Sequence, residues 1–148
     1  MFSKSTEYAL RATIYIARKS SDGKISGLKE ISDAIDSPIS FTAKILQSLT
    51  SNNRIVSSVR GPKGGFFLTK NAGQLPVRSI LEVMGEDNLL EKCVLGLRQC
   101  SETKPCPMHH QYKSIKKQLI NLFETKTIEE MVKDMKEGDL FIGNEEKE

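Results

Sequence analysis

No apolar run in this 148-residue chain approaches the roughly 20 residues that a membrane-spanning helix requires. Lys4, Glu7 and Arg11 interrupt the apolar positions at the N-terminus, so a secretory signal is not expected either. The expectation is a cytoplasmic protein with no membrane partner. There is no internal repeat and no low-complexity segment, which excludes solenoid and array architectures. Cysteine is scarce: three residues, an odd number that makes no disulfide framework, and no two of them share a C-x2-C knuckle. Catalytic patterns are missing as well. No nucleophile is spaced with a base, and the glycines of Gly61–Gly65 lie between two β-rich runs instead of ahead of a helix, so they form no phosphate loop. An enzyme is not expected.

What remains is a globular composition, 38% hydrophobic and 28% charged. The formal charge of +3 is unevenly spread. Residues 1–70 hold 11 Lys/Arg against 5 Asp/Glu, whereas residues 71–148 hold 11 against 14. A basic first half on an acidic second half suits a nucleic-acid-binding head on a body that does not bind.

The apolar periodicity of the first half predicts three helices and a hairpin. Tyr8, Ala9, Ala12, Ile16 and Ala17 share one face of a helix over 3–18. Ser26 is placed to cap a short helix over 27–35, and Ser37 to cap a third that runs to about Ser51 with Pro38 in its first turn. The runs 54–60 and 66–69 flank a Gly/Pro turn and predict a hairpin. Helices joined by a tight break, then a hairpin with Arg60 and Lys63 at its tip, make a winged helix-turn-helix over residues 1–70. The fold class expected is mainly α with a small β-hairpin wing.

Beyond the head, residues 71–90 read as a connector with a short helix over Val77–Met84. Periodicity fails across 91–108, where the cysteines stand. Residues 109–135 read as a long helix and a terminal helix, the latter opened by a Thr127/Glu130 capping box, and 136–148 as an acidic tail. On the long helix Tyr112, Ile115, Leu119, Leu122 and Phe123 recur at alternating steps of three and four. Such a seam needs a partner helix, and a homodimer is the expected solution.

Cys93, Cys100 and Cys106 fall within 14 residues and are followed by Pro107-Met108-His109-His110. Three thiolates from one loop suggest cluster, metal or redox chemistry. Iron–sulfur clusters take cysteine thiolates, with an occasional His or carboxylate, so three cysteines leave one ligand to be found elsewhere. Three Cys and one His also make a structural zinc set, although zinc sites usually draw ligands in C-x2-C pairs. A metal-free thiol switch is the third reading. Lys92, Arg98 and Lys104 would lower thiol pKa values and offset cluster charge.

The wing sequence Ile55-Val56-Ser57-Ser58-Val59-Arg60-Gly61-Pro62-Lys63-Gly64-Gly65-Phe66 resembles that of the bacterial IscR/NsrR (Rrf-two) regulators. So do Glu7-Tyr8-Ala9-Leu10-Arg11-Ala12 and Ala43-Lys44-Ile45-Leu46-Gln47, and the order of cysteine loop and long helix. The resemblance extends over about residues 3–135. It implies a repressor that senses iron–sulfur status, redox state or nitric oxide. It also implies a homodimer with crossed long helices, whose two heads read a roughly twofold operator in double-stranded DNA. Ser37, Ser40, Phe41 and Lys44 then face the major groove from the recognition helix, with core packing an even alternative for Phe41. Arg60 reaches the minor groove and Lys63 a phosphate. Where cluster-bearing members carry an acidic residue, this chain has Ala43, which leaves target preference open. His109, three positions after Cys106, matches the histidine ligand of IscR-like 2Fe–2S proteins. Glu7 stands where NsrR-like 4Fe–4S proteins place an aspartate from the partner subunit, or is simply a first-turn carboxylate favouring the helix dipole. His109 takes precedence, which puts 2Fe–2S ahead of 4Fe–4S. The first cysteine gap holds six residues where the family's loops often have five.

Overall fold

Ser3 opens the first helix: its hydroxyl accepts from the Thr6 amide, and α1 (Lys4–Ser21) runs three residues past the expected end. The computed structural model describes residues 1–138 and 140–143. The α1 stripe Ala9, Ala12, Ile16 and Ala17 is buried, against Ile31 and Ile35 from α2 (Leu28–Ala34) and Ile45, Leu46 and Leu49 from α3 (Ile39–Thr50). Arg11 spans the α2–α3 break, its Nη1 donating to the Ile35 carbonyl at 2.9 Å.

Two expected caps fall differently. α2 starts from Gly27, because the backbone of Ser26 is engaged elsewhere: it pairs in both directions with Phe66, at 2.9 and 2.7 Å. The wing thus gains a third short backbone partner at the expense of a side-chain cap. α3 starts from Pro38, and Ser37 accepts instead from the Thr42 hydroxyl at 2.9 Å. Ser37 therefore stiffens the helix start from inside.

The hairpin pairs β1 (Ser57–Val59) with β2 (Gly65–Phe67) in antiparallel register, Ser58 opposite Phe66. It is shorter than the β-rich runs because Ile55 and Val56 turn inward to the core, Val56 N–H donating to Leu49 O. At the tip, a Cβ on Gly64 would lie 2.0 Å from the Val59 carbonyl oxygen, so the turn closes only around glycine.

The segment after the wing contains a single helical turn, α4 (Lys70–Gly73), capped by Thr69, where a plain connector was expected. α5 (Arg78–Val83) follows. The last helix, α7 (Ile128–Glu137), opens with the Thr127/Glu130 capping box that the sequence predicts. It buries Ile128 and Val132 in the core shared with α1. Backbone bonds from Val77 to Lys126 (2.8 Å) and from Ile128 to Leu75 (3.0 Å) close this return. The long helix α6 (His109–Thr125) behaves otherwise: His109 is its only buried residue, and Ile115 and Leu122 are 58% and 53% exposed. Of the expected tail, residues 136–137 belong to α7, while 139 and 144–148 lie outside the described residues. Among the described residues no helix is long and apolar enough to cross a membrane. The architecture is a mainly helical winged helix-turn-helix with a small hairpin, carrying one long, largely uncovered helix.

Candidate nucleic-acid interface and cysteine loop

On α3, Ser40 and Lys44 are exposed, one helical turn apart, and Gln47 continues the same face. Gln47 was missed by sequence reasoning, although its i+3 and i+7 spacing from these two carries the signal. Arg60 and Lys63 are exposed at the wing turn. These five polar side chains stand on the two elements that a winged helix-turn-helix offers to DNA. Ser37 is not with them: it is 8% exposed and bonded to Thr42. Phe41 is half-buried and packs edge-on against Tyr8, ring centroids 5.5 Å apart, so it braces α3 on α1.

The cysteine loop leaves α5 through Gly85 and a 3-10 turn, Asp87–Leu90, whose Leu90 is buried. All three thiols are free; Cys93 and Cys106 are buried, Cys100 only partly. The backbone amides of Leu97 and then Leu95 point at the Cys93 sulfur and hold its thiol below the ordinary range, with the neighbouring Cys106 thiol adding to the effect against burial. Cys100 Sγ lies 3.4 Å from His109 Nδ1. The His109 ring is 5% exposed, and its Nε2 faces Glu102 Oε1 at 3.4 Å, within ion-pair distance but outside hydrogen-bond geometry. Lys113 holds Glu102 at 2.5 Å and, with His109 second, keeps that carboxyl below its usual range.

The structure thus brings Cys93 to Cys106 and Cys100 to His109, as two pairs. Among the described residues no three His, Cys, Asp or Glu side chains stand ready to share one metal ion. Glu7, half-buried in the first turn of α1, pairs with Lys4 at 3.8 Å within the protomer. His110 is exposed and stacks edge-on against His109.

Two further residues, which periodicity could not reveal, moor the loop. Glu86 takes hydrogen bonds from the Ser3 amide at 3.3 Å and from the Ser3 and Thr6 hydroxyls, tying the loop's first residues to the start of α1. Arg78 on α5 bridges Glu91 (3.3 Å) and Glu124 of α6 (2.7 Å), and Lys116 of α6 donates to the Glu91 carbonyl at 2.5 Å. The loop is therefore tied both to the helix beneath the DNA-facing elements and to the long helix.

The sequence profile of Rrf2, described as an iron-dependent transcriptional regulator, matches residues 2–134. The chain belongs to the Rrf2 family. A protein of Aquifex aeolicus (strain VF5) named as an HTH-type transcriptional regulator is 33% identical over 143 residues, covering 95% of this chain and 96% of that one. The HTH-type transcriptional regulator IscR of Xenorhabdus nematophila is 28% identical, covering 86% and 76%. Among solved structures, CymR, the global cysteine regulator of B. subtilis, superposes with a TM-score of 0.70 at 18% identity over 90% of this chain and 96% of that one. The last likeness is one of fold. This Rrf2 protein is a DNA-binding transcriptional regulator and not an enzyme, as its composition and motifs predict.

Proposed function

We propose that this Rrf2 protein is a homodimeric repressor whose grip on a twofold operator is set by an iron–sulfur cluster. The ligands in this reading are Cys93, Cys100, Cys106 and His109, with 2Fe–2S ahead of 4Fe–4S. One observation carries it: three free thiols share a loop with a buried histidine whose Nδ1 lies 3.4 Å from the Cys100 sulfur. The amide cradle at Cys93 is likewise suited to a ligated sulfur. A bound cluster would supply iron open to attack by oxygen or nitric oxide, making its loss the signal.

The chain's own residues supply the response. Arg60 enters the minor groove, Ser40 and Lys44 meet the major groove and its phosphates, and Lys63 neutralises a backbone phosphate. The uncovered face of α6 pairs with a second copy. Glu86 and Arg78 pass any rearrangement of the loop to α1 and to α6, and so to the spacing of the two heads. Glu7 of a second copy is the competing fourth ligand and would go with 4Fe–4S.

A second reading has its own support. The contact of Cys93 with Cys106, and the lowered pKa of Cys93, suit a thiol switch that uses no metal. Anaerobic reconstitution with iron and sulfide, followed by a visible spectrum and iron and sulfide assays, separates the two. The cluster reading expects a coloured protein whose affinity for an operator enriched from random duplexes differs from that of the cluster-free form. A colourless, iron-free product, or equal affinity of both forms, would overturn it.

A further inference from the structure

Lys136, in the last turn of α7, donates to the Ser21 hydroxyl at 2.6 Å and pairs with Asp22 at 3.4 Å, where α1 ends. Seven residues later, Gly143 lies against the end of α2. A Cβ at Gly143 would stand 2.4 Å from the Ala34 carbonyl oxygen, so only glycine approaches the helix end this closely. Ile142 beside it is half-buried. The next carbonyl along, that of Ile35, is the one held by Arg11 from the middle of α1. Between Lys136 and Gly143 the chain has therefore turned back along α1, from its end to its middle, toward the break between α2 and α3. The segment that follows, Asn144-Glu145-Glu146-Lys147-Glu148, lies outside the described residues and carries three carboxylates against one ammonium. Five residues reach about 17 Å when extended. Ser40 is four residues past Asp36, hence at most about 14 Å from it, and Lys44 is one helical turn, about 6 Å, further on. The Asp36 carboxylate beside Gly143 repels further acidic groups from the end of α2, whereas Lys44, Arg60 and Lys63 attract them.

We propose that residues 144–148 are an autoinhibitory strap, anchored on α2 by Gly143 and laid across the DNA-facing start of α3, where their carboxylates take the place of DNA phosphates. The inference rests on the reading of α3 and the wing as the DNA-facing elements and owes nothing to the cluster. DNA and strap compete for the same cations, so a duplex binds only the fraction of molecules whose face is open. A face covered about four-fifths of the time lowers affinity roughly fivefold. The competition is between charges at an exposed surface, so it weakens as salt screens them.

The test compares the full-length protein with a chain ending at Gly143, on a random-sequence duplex at about 50 mM salt, by fluorescence anisotropy. Removing residues 144–148 should tighten binding roughly fivefold. Glu145→Gln/Glu146→Gln/Glu148→Gln should do the same. Gly143→Val keeps all three carboxylates and displaces only their anchor, and it should recover most of the gain. The ratio between the full-length and shortened chains should shrink as salt is raised. Without DNA, zero-length carbodiimide cross-linking and peptide mapping should join a carboxylate of residues 145–148 to Lys44 or Lys63. Equal affinity of the full-length and shortened chains would overturn the strap. So would a gain absent from Gly143→Val, which marks an effect of net charge alone, or cross-links confined to lysines away from α3 and the wing. Circular dichroism of each variant confirms the fold. Arg60→Ala tests the DNA-facing reading on its own, so failure of that reading and failure of the strap are read from different variants.

Discussion

Replacing Ile115 by Ala tests the dimer without touching the protomer's core. Ile115 is 58% exposed in the single chain, so it contributes little to folding there. Burying an Ile side chain completely is worth about 2–3 kcal/mol, and covering the exposed portion is therefore worth about 1.5 kcal/mol. Alanine retains about a third of that, which leaves a loss of about 1 kcal/mol per copy. A twofold interface counts the residue twice, so the expected loss is about 2 kcal/mol, or roughly a 30-fold weaker dimer. Sedimentation velocity over a concentration series measures this directly, with thermal unfolding as the control for the fold. A dimerisation constant that does not change in Ile115→Ala would refute the reasoning, and so would a wild-type chain that stays monomeric at tens of micromolar. Either result would also remove the basis for a twofold operator.

On the DNA side, Arg60→Ala should cost about 1–3 kcal/mol of operator affinity at fixed salt, whereas Lys63→Ala should weaken all sequences alike and lower the salt slope by about 1; fluorescence anisotropy with specific and random duplexes distinguishes them. For the fourth ligand, His109→Ala and Glu7→Ala should differ in the visible spectrum after reconstitution. Only loss of the true ligand shifts it, and two unchanged spectra would exclude both residues. The Ser3 hydroxyl, then that of Thr6, holds the Glu86 carboxyl below its ordinary range. Its contribution to stability is accordingly present above the unfolded-state value and fades as pH falls through the depressed folded value. The Tm gap between wild type and Glu86→Gln should close on acidification, and a gap constant with pH would contradict the contact.

The parts of the fold that were legible in the sequence are those where a side chain's spacing and its physical task coincide. The capping box at Thr127 and Glu130 is a local device, and both its bonds are present. The seam on α6 is visible because nothing else in the chain disturbs its period. Ser26 and Ser37 mislead in related ways: a serine before a helix reads as a cap, yet contacts outside the cap position set each of them. Phe66 takes the backbone of one, and Thr42 engages the hydroxyl of the other. The cysteine loop was legible as chemistry and not as geometry. Which thiol is buried, and which meets His109, depends on contacts of Leu90, Glu86 and Arg78 that no periodic pattern encodes. Phe41 shows the same limit from the other side, since its edge-on contact with Tyr8 is set by a neighbouring helix and not by any period in its own.

The backbone bonds that join residues 75–77 to 126–128 have a consequence for how this chain is divided. They bring the end of the long helix at Thr125 back beside the chain that leads into α5, and α7 then completes the packing of α1. The DNA-reading unit is therefore discontinuous in sequence, and the cysteine loop with its long helix is a detour inserted into it. Cutting the chain after the wing would strip α1 of a helix it packs against. Excising the detour and rejoining its ends would leave that helix in place. The cysteine loop and the long helix are carried on the reader as an excursion, so a change in the loop leaves the contacts between α1 and α7 in place.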